Sequence, residues 1–311
     1  MATLLDFRRR IRSVKNTQQI TRAMKFVAAA RLRRAQESAL AARPYALELA
    51  RMLRSIMSRV DEPEHPLLAK REEKNVLVIV LSGERGLAGA FNSNILRKAN
   101  DFIRKQSGKK IVAIPVGKKG RDSLKKAGFP FAAEYVNVLA KVEFSVARDI
   151  AALVTELYTK EEIDAVYIVF SEFKSVMTAN LVVEKLLPVE EIRDEDSKKH
   201  GAEQDAQGSD AGKHDKTDEK KQDETPTDYI YEQPAEQLLG KLLPRYIETQ
   251  VLRSMLESSA AEYAARMVAM DSATKNAGDV IEALTLHMNK VRQAAITKEI
   301  IEIVSGANYG A

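Results

Sequence analysis

Two apolar seams, one near each end of the chain, constrain the fold more than any other feature. From Phe7 onward, alternating steps of four and three residues land on Phe7, Ile11 and Val14. They then cross Gln18, Thr21 and Lys25, and run on through Ala28, Leu32 and Ala35 to Leu49, Leu53, Ile56 and Val60. A second seam runs without a break from Tyr263 through Met267, Met270, Thr274, Ala277 and Ile281 to Ala295. This spacing is the heptad signature of helices that wind around a partner. The first helix would be roughly 80 Å long at about 1.5 Å per residue, and an isolated helix of that length is not stable without packing. The two seams therefore predict an antiparallel coiled coil made by the ends of one chain. Small residues on the first seam (Ala28, Ala35, Ala39, Ala42) permit close approach. Ile20, Met24 and Val27 form a stripe on an adjacent face, expected to cover the polar break at Gln18, Thr21 and Lys25. Pro44 is expected to bend the helix.

Between the seams the period changes. NVLVIVL (75–81), KIVAIPV (110–116) and AVYIVF (165–170) are short runs rich in β-branched residues. Helical patterns separate them at 90–106, 118–127 and 143–160, and FAAEY (131–135) is a further candidate strand. Alternation of this kind predicts a mainly parallel sheet with helices on it, a Rossmann-like α/β domain. From Asp194 to Glu224 there is no Val, Ile, Leu, Met, Phe, Tyr or Trp. Such a stretch cannot bury enough to fold. It lies between two apparent strands, NLVVEKLLP (180–188) and DYIYEQP (228–234), and reads as an enlarged loop. The expected organisation is a coiled-coil helix over 1–60, an α/β globular domain over 75–193, a charged insert over 194–227, a completing strand over 228–234 and a second coiled-coil helix over 235–311: a rod with a bulge at one end.

Charge narrows the partners. Residues 7–36 hold eight arginines, two lysines and no acidic residue, whereas residues 235–311 hold eight basic and nine acidic ones. A helix so one-sidedly basic seeks an acidic protein, a nucleic acid or an anionic surface. For nucleic acid, only Phe7 and Phe26 in that stretch could stack on bases. With no cysteine in the chain, disulfides and thiolate metal sites are excluded. No apolar run reaches the roughly 18 residues needed to cross a bilayer, and the charged N-terminus does not have the form of a signal peptide. Direct membrane insertion is not expected.

Candidate chemistry is sparse. LSGERGLAGAFN (81–92) spaces its glycines as G-x-x-G-x-x-G, unlike a dinucleotide fingerprint or a Walker loop. It is open to two readings, a phosphate cradle or a tight turn seating a helix on a strand. The junction VGKKGRDSLKKAG (116–128) could present the amides of Gly117 and Gly120 to an anion or be a solvated turn. His65, His200, His214 and His287 have no ligand spacing, and no nucleophile is paired with a base. A non-enzyme with no cofactor is the expectation. At the far end, Ile300, Ile301, Ile303 and Val304 put apolar groups on several faces of one helix, more than a two-stranded seam can cover.

RRRIRSVKNTQQITRAMKFVAAARLRRAQ, LSGERGLAGAFN and NKVRQAAITKEIIEIVSGA closely resemble the γ subunit of F-type ATP synthase, and the likeness spans nearly the whole chain apart from 194–224. The resemblance implies a rotor shaft, non-catalytic itself, whose coiled coil stands inside a hexamer of α and β subunits. Its globular domain would rest on the ε subunit and the membrane c-ring. By motif, Met24 is similar to a methionine beside the β lever. Arg292, Gln293 and Thr297 match residues that engage a β loop. Ile300, Ile301 and Val304 fall where the family has its pivot in an apolar sleeve. Where the family commonly has Cys-Gly, this chain has Ala88-Gly89. The insert lies where photosynthetic members carry a cysteine redox switch, which a cysteine-free chain excludes. With no transit peptide, the likeness is to a bacterial member at the cytoplasmic face of the inner membrane. For the insert, a brake, a partner site and a neutral spacer all stay open. The competing readings are a coiled-coil scaffold or nucleic-acid binder with an α/β head, and a nucleotide-binding enzyme at Gly83–Gly89.

Overall fold

The computed structural model describes residues 4–58, 65–189 and 234–308. The insert at 194–224 and most of the strand expected at 228–234 lie outside the described residues. Among the described residues nine elements follow in order: α1 (Leu4–Met57), β1 (Asn75–Leu81), α2 (Phe91–Lys105), β2 (Lys110–Val116), α3 (Lys118–Lys126), α4 (Phe144–Thr159), β3 (Ala165–Phe173), β4 (Ala179–Leu187) and α5 (Ala235–Asn308).

The sheet has the order β2-β1-β3-β4. β1 pairs in parallel with both β2 and β3, and β4 pairs antiparallel with β3. β1 reads as continuous apolar sequence because both of its faces are covered. Leu77, Ile79 and Leu81 face a core built from α4, α5 and the end of α1. Val76, Val78 and Val80 face a second core under α2 and α3. FAAEY does not become a strand. It makes only two isolated bridges to the outer edge of β2, Phe131 to Ala113 and Tyr135 to Val116. The segment covers that edge without extending the ladder.

α1 and α5 are 54 and 74 residues long, about 80 and 110 Å. α1 is unbroken through Pro44, and α5 through Pro244. Every fully buried residue of α1 lies on the predicted seam: Phe7, Thr21, Ala28, Leu32, Ala35, Leu49, Leu53 and Ile56. The helices run antiparallel, as Gln18 meeting Thr274 and Lys25 meeting Asp271 require. α5 has two roles along its length. Leu239, Leu243, Ile247, Val251 and Met255, at steps of four, sit in the core of the head with Leu49, Leu53 and Ile56 of α1. Ser258–Ala264 is buried on nearly all sides between α1 and the sheet. The small side chains Ser258, Ser259, Ala260, Ala261 and Ala264 make that sandwich possible. Just beyond it Ala265 still packs on the second core and Arg266 reaches the Gly86 carbonyl; further on, the helix packs on α1. No described helix is long and apolar enough to cross a membrane.

Candidate partner-binding surfaces of the shaft

The polar break in the first seam is not covered by the neighbouring apolar stripe. Ile20 and Val27 stay exposed, at 59% and 54%, and Met24 is half-buried. The break is filled from across the coil. Thr274 Oγ1 donates to Thr21 Oγ1 at 2.8 Å, and Gln18 Nε2 donates to the Thr274 carbonyl at 3.3 Å. Lys25 Nζ stands 2.6 Å from Asp271 Oδ1, while Lys275 holds the other oxygen at 3.0 Å. The Lys25 hydrogen bond, followed by that of Lys275, holds the Asp271 carboxyl below its usual range. This belt satisfies the polar seam positions directly, which frees Ile20, Phe26 and Val27 to face outward. Together with the exposed Arg22 they give this level of the coil a cationic and apolar rim. Gln18, Gln19, Arg22, Lys25, Phe26, Asp271 and Thr274 line a shallow groove there.

The predicted contact residues fall into two groups. Met24 belongs to the belt level, one residue from Lys25. Arg292, Gln293, Thr297, Ile300 and Ile301 lie 21 or more residues past Asp271 on α5, about 30 Å up the shaft. Phe7, near the start of α1, meets His287 with ring centroids 4.9 Å apart. From there α5 runs on to Asn308, roughly another 30 Å, most of it beyond the reach of α1. Arg292 and Gln293 are exposed, and Thr297 Oγ1 is tied to the Gln293 carbonyl at 3.0 Å. Ile300, Ile301 and Ile303 are 55%, 60% and 71% exposed. The Val304 side chain lies outside the described residues. The tip is thus a bare helix with apolar groups turned outward.

The glycine-rich turn after β1 is closed by its own chain. Asn92 Oδ1 accepts from the Gly83 amide at 2.8 Å, and its Nδ2 donates to the Arg85 carbonyl at 3.2 Å. A Cβ on Gly83 would meet Asn92 Oδ1 at 2.9 Å and the Glu262 carboxyl at 3.0 Å. The first amides of α3 are likewise taken. Lys118 N donates to Glu84 Oε2 at 3.0 Å, Lys119 N to the Gly83 carbonyl at 3.1 Å and Gly120 N to Ser82 Oγ at 2.7 Å. In open α/β sheets a ligand binds at this C-terminal edge. Here Ser82, Glu84 and Asn92 occupy the donors a phosphate would need. Of the two readings left open, the tight turn is the one these contacts describe. No cluster of His, Asp or Glu among the described residues could hold a metal.

Sequence spacing did not show that Asp271 answers Lys25, since Asp271 is off the seam and 246 residues away. It also did not show the charged cluster of Arg253, Glu257 and Glu184 where α5 meets β4. The one available signal was a lysine at a core position of the first seam, which demands an acid across the coil.

The family model for ATP synthase matches residues 3–308. The "ATP synthase gamma chain" of Solibacter usitatus is 46% identical over 311 residues, covering 99% of both chains. That of Desulforamulus reducens is 47% identical over 307 residues, again with 99% of each covered. Among solved structures, a chain of the Euglena gracilis mitochondrial ATP synthase rotor aligns with a TM-score of 0.58 and 21% identity, covering 94% of this chain and 98% of that one. A chain from the OSCP/F1/c-ring assembly of the same enzyme aligns with a TM-score of 0.62 and 22% identity, covering 98% and 93%.

Proposed function

Because this chain belongs to the ATP synthase gamma chain family, we propose that it is the central rotor shaft of an F-type ATP synthase, coupling rotation of a membrane c-ring to ATP synthesis or hydrolysis on partner subunits. The observation that carries this reading is the double use of α5. One stretch of a single helix, Leu239 to Met255, is locked in the core of the head, and the same helix ends in a bare apolar tip. Torque applied to the head must turn the tip, because no flexible joint separates them.

The chemistry stays on the partners. The chain turns within a hexamer of α and β subunits, and the β subunits hold the nucleotides. Seen down its axis the coil has an arginine-rich side on α1 and a nearly neutral side on α5, so three surrounding β subunits meet three different faces at any moment. Met24, with the exposed Ile20, Phe26 and Val27, would lie against an acidic β lever. Arg292, Gln293 and Thr297 would engage a β loop, and Ile300, Ile301 and Val304 would turn in an apolar sleeve. A bearing must slide, and exposed charges with screened, individually weak attractions suit sliding better than bidentate locks. The head would rest on the ε subunit and the c-ring, at the cytoplasmic face of a bacterial membrane and outside the lipid. Nucleic acid has no part in this scheme: Phe7 packs on His287, leaving only Phe26 within the basic stretch 7–36 to stack on a base.

The test uses the absence of cysteine. Asp101→Cys on the exposed face of α2 gives one labelling site on the head. Co-expression with the α and β subunits should yield one copy per three of each, and a bead on the label should rotate in discrete steps when ATP is added. A chain that elutes alone, leaving α and β activity unchanged, overturns the shaft.

A further inference from the structure

Four elements bring charge together where the coil enters the head. Glu257 lies on α5, and its Oε2 has no hydrogen-bond partner among the described residues. Its other oxygen is 3.7 Å from Arg253 Nε, one helical turn back. Arg253 reaches away with Nη2 to Glu184 Oε2 on β4 at 2.9 Å. Glu172 on β3 and Arg43 on α1 complete the groups whose charge Glu257 feels. Among these five groups three are carboxylates and two are guanidinium groups, so a proton on Glu257 reduces the repulsion between the carboxylates.

We propose that Glu257, with Glu172, Glu184, Arg43 and Arg253, forms a proton-binding clasp that fastens the shaft to the head more firmly when Glu257 is protonated than when it is ionised. The ligand is a proton, and the site is the junction through which torque would pass. The clasp stands on the chain's own geometry and does not depend on the shaft reading.

Burial is the main cause that disfavours the ionised form. Arg253 opposes it, Glu172 and Glu184 reinforce it, Arg43 opposes it, and the carboxyl is pushed up to about 7. The folded value is above that of an exposed glutamate, so folding takes up a proton. The stabilisation is fully present below the unfolded value near 4.5 and is lost as pH rises through about 7. Between pH 5.5 and pH 8 the folding equilibrium should weaken roughly 30-fold on account of this one group. Over the same range the packing of α5 against β3 and β4 at this level would thereby tighten or loosen.

The experiment is urea unfolding of the full chain from pH 5.5 to 8.5, for wild type and Glu257→Gln, with hydrogen exchange followed at the amides of 253–262. The clasp requires the wild type to lose roughly 30-fold in its folding constant relative to Glu257→Gln over that range, with those amides exchanging faster at high pH. Equal pH dependence in the two proteins overturns it. Glu172→Gln and Arg43→Gln keep the test open should Glu257→Gln fail to fold. Removing Glu172 must move the wild-type midpoint down, and removing Arg43 must move it up. Midpoints that do not move overturn the cluster as the cause.

Discussion

The apolar tip allows stability and function to be separated in one protein. Ile300 and Ile303 are 55% and 71% exposed in the free chain, so the larger part of what truncating both removes is surface that the chain itself leaves uncovered. The double variant Ile300→Ala, Ile303→Ala should keep the free chain's unfolding free energy within about 0.5 kcal/mol of wild type. In the complex the same side chains would be covered by the sleeve. Full burial of an isoleucine is worth about 1.5–3 kcal/mol, and more than half of each side chain is still available to be buried. The pair should therefore contribute about 2 kcal/mol to assembly, or roughly 30-fold in Kd. The assay is titration of labelled chain into α and β subunits with fluorescence anisotropy, beside a urea melt of the free chain. Unchanged affinity would refute the argument, because it would mean that the exposed isoleucines meet no apolar surface. A large loss of free-chain stability would refute it from the other side, by showing that the tip is already packed.

Leu53 is the converse case. It is fully buried where α1 enters the head, so Leu53→Ala should cost about 2–5 kcal/mol in the same urea melt, and a cost under about 1 kcal/mol would mean that α1 is not rooted there. Gly117 has φ +106, and a Cβ there would stand 1.9 Å from the Ser82 carbonyl oxygen. Gly117→Ala should therefore lower Tm far more than Gly108→Ala, where φ is +100 but the space is open, so that only backbone strain of about 1–3 kcal/mol applies. At Glu73 burial raises the carboxyl, but hydrogen bonds from Lys109, Lys185 and Tyr167 outweigh it and bring it down to about 2. The folded value is depressed, so its contribution is fully present above about 4.5 and is lost as pH falls toward 2. Acid titration of Glu73→Gln beside wild type should show the variant losing less stability over that window.

Much of the fold could be read before any coordinates. β1, β2 and β3 announce themselves because apolar β-branched runs of that length, bounded by turns, have few other uses. FAAEY misled because Phe131 and Tyr135 do meet the sheet, but at an edge where only two isolated bridges close. At the candidate sites, the outward isoleucines of the tip were legible from crowding on several faces of one helix. The turn at Gly83 was not, because only Asn92 on the Gly83 amide, and Glu84 and Ser82 on the first amides of α3, show that the donors are taken.

The seams were determined by the sequence alone, since a 3.5-residue repeat fixes which positions share a face whatever the partner is. All eight buried residues of α1 fall on it for that reason. Only the tertiary structure decided what stands opposite each position. Thr21 meets Thr274 across 253 residues, Lys25 meets an off-seam Asp271, and Arg253 binds Glu184 on a strand of the head. Periodicity is a property of one helix, whereas the partner of a polar side chain depends on the register and packing of distant segments. That register sets the belt in the coil and brings the charged groups of the clasp together at its root.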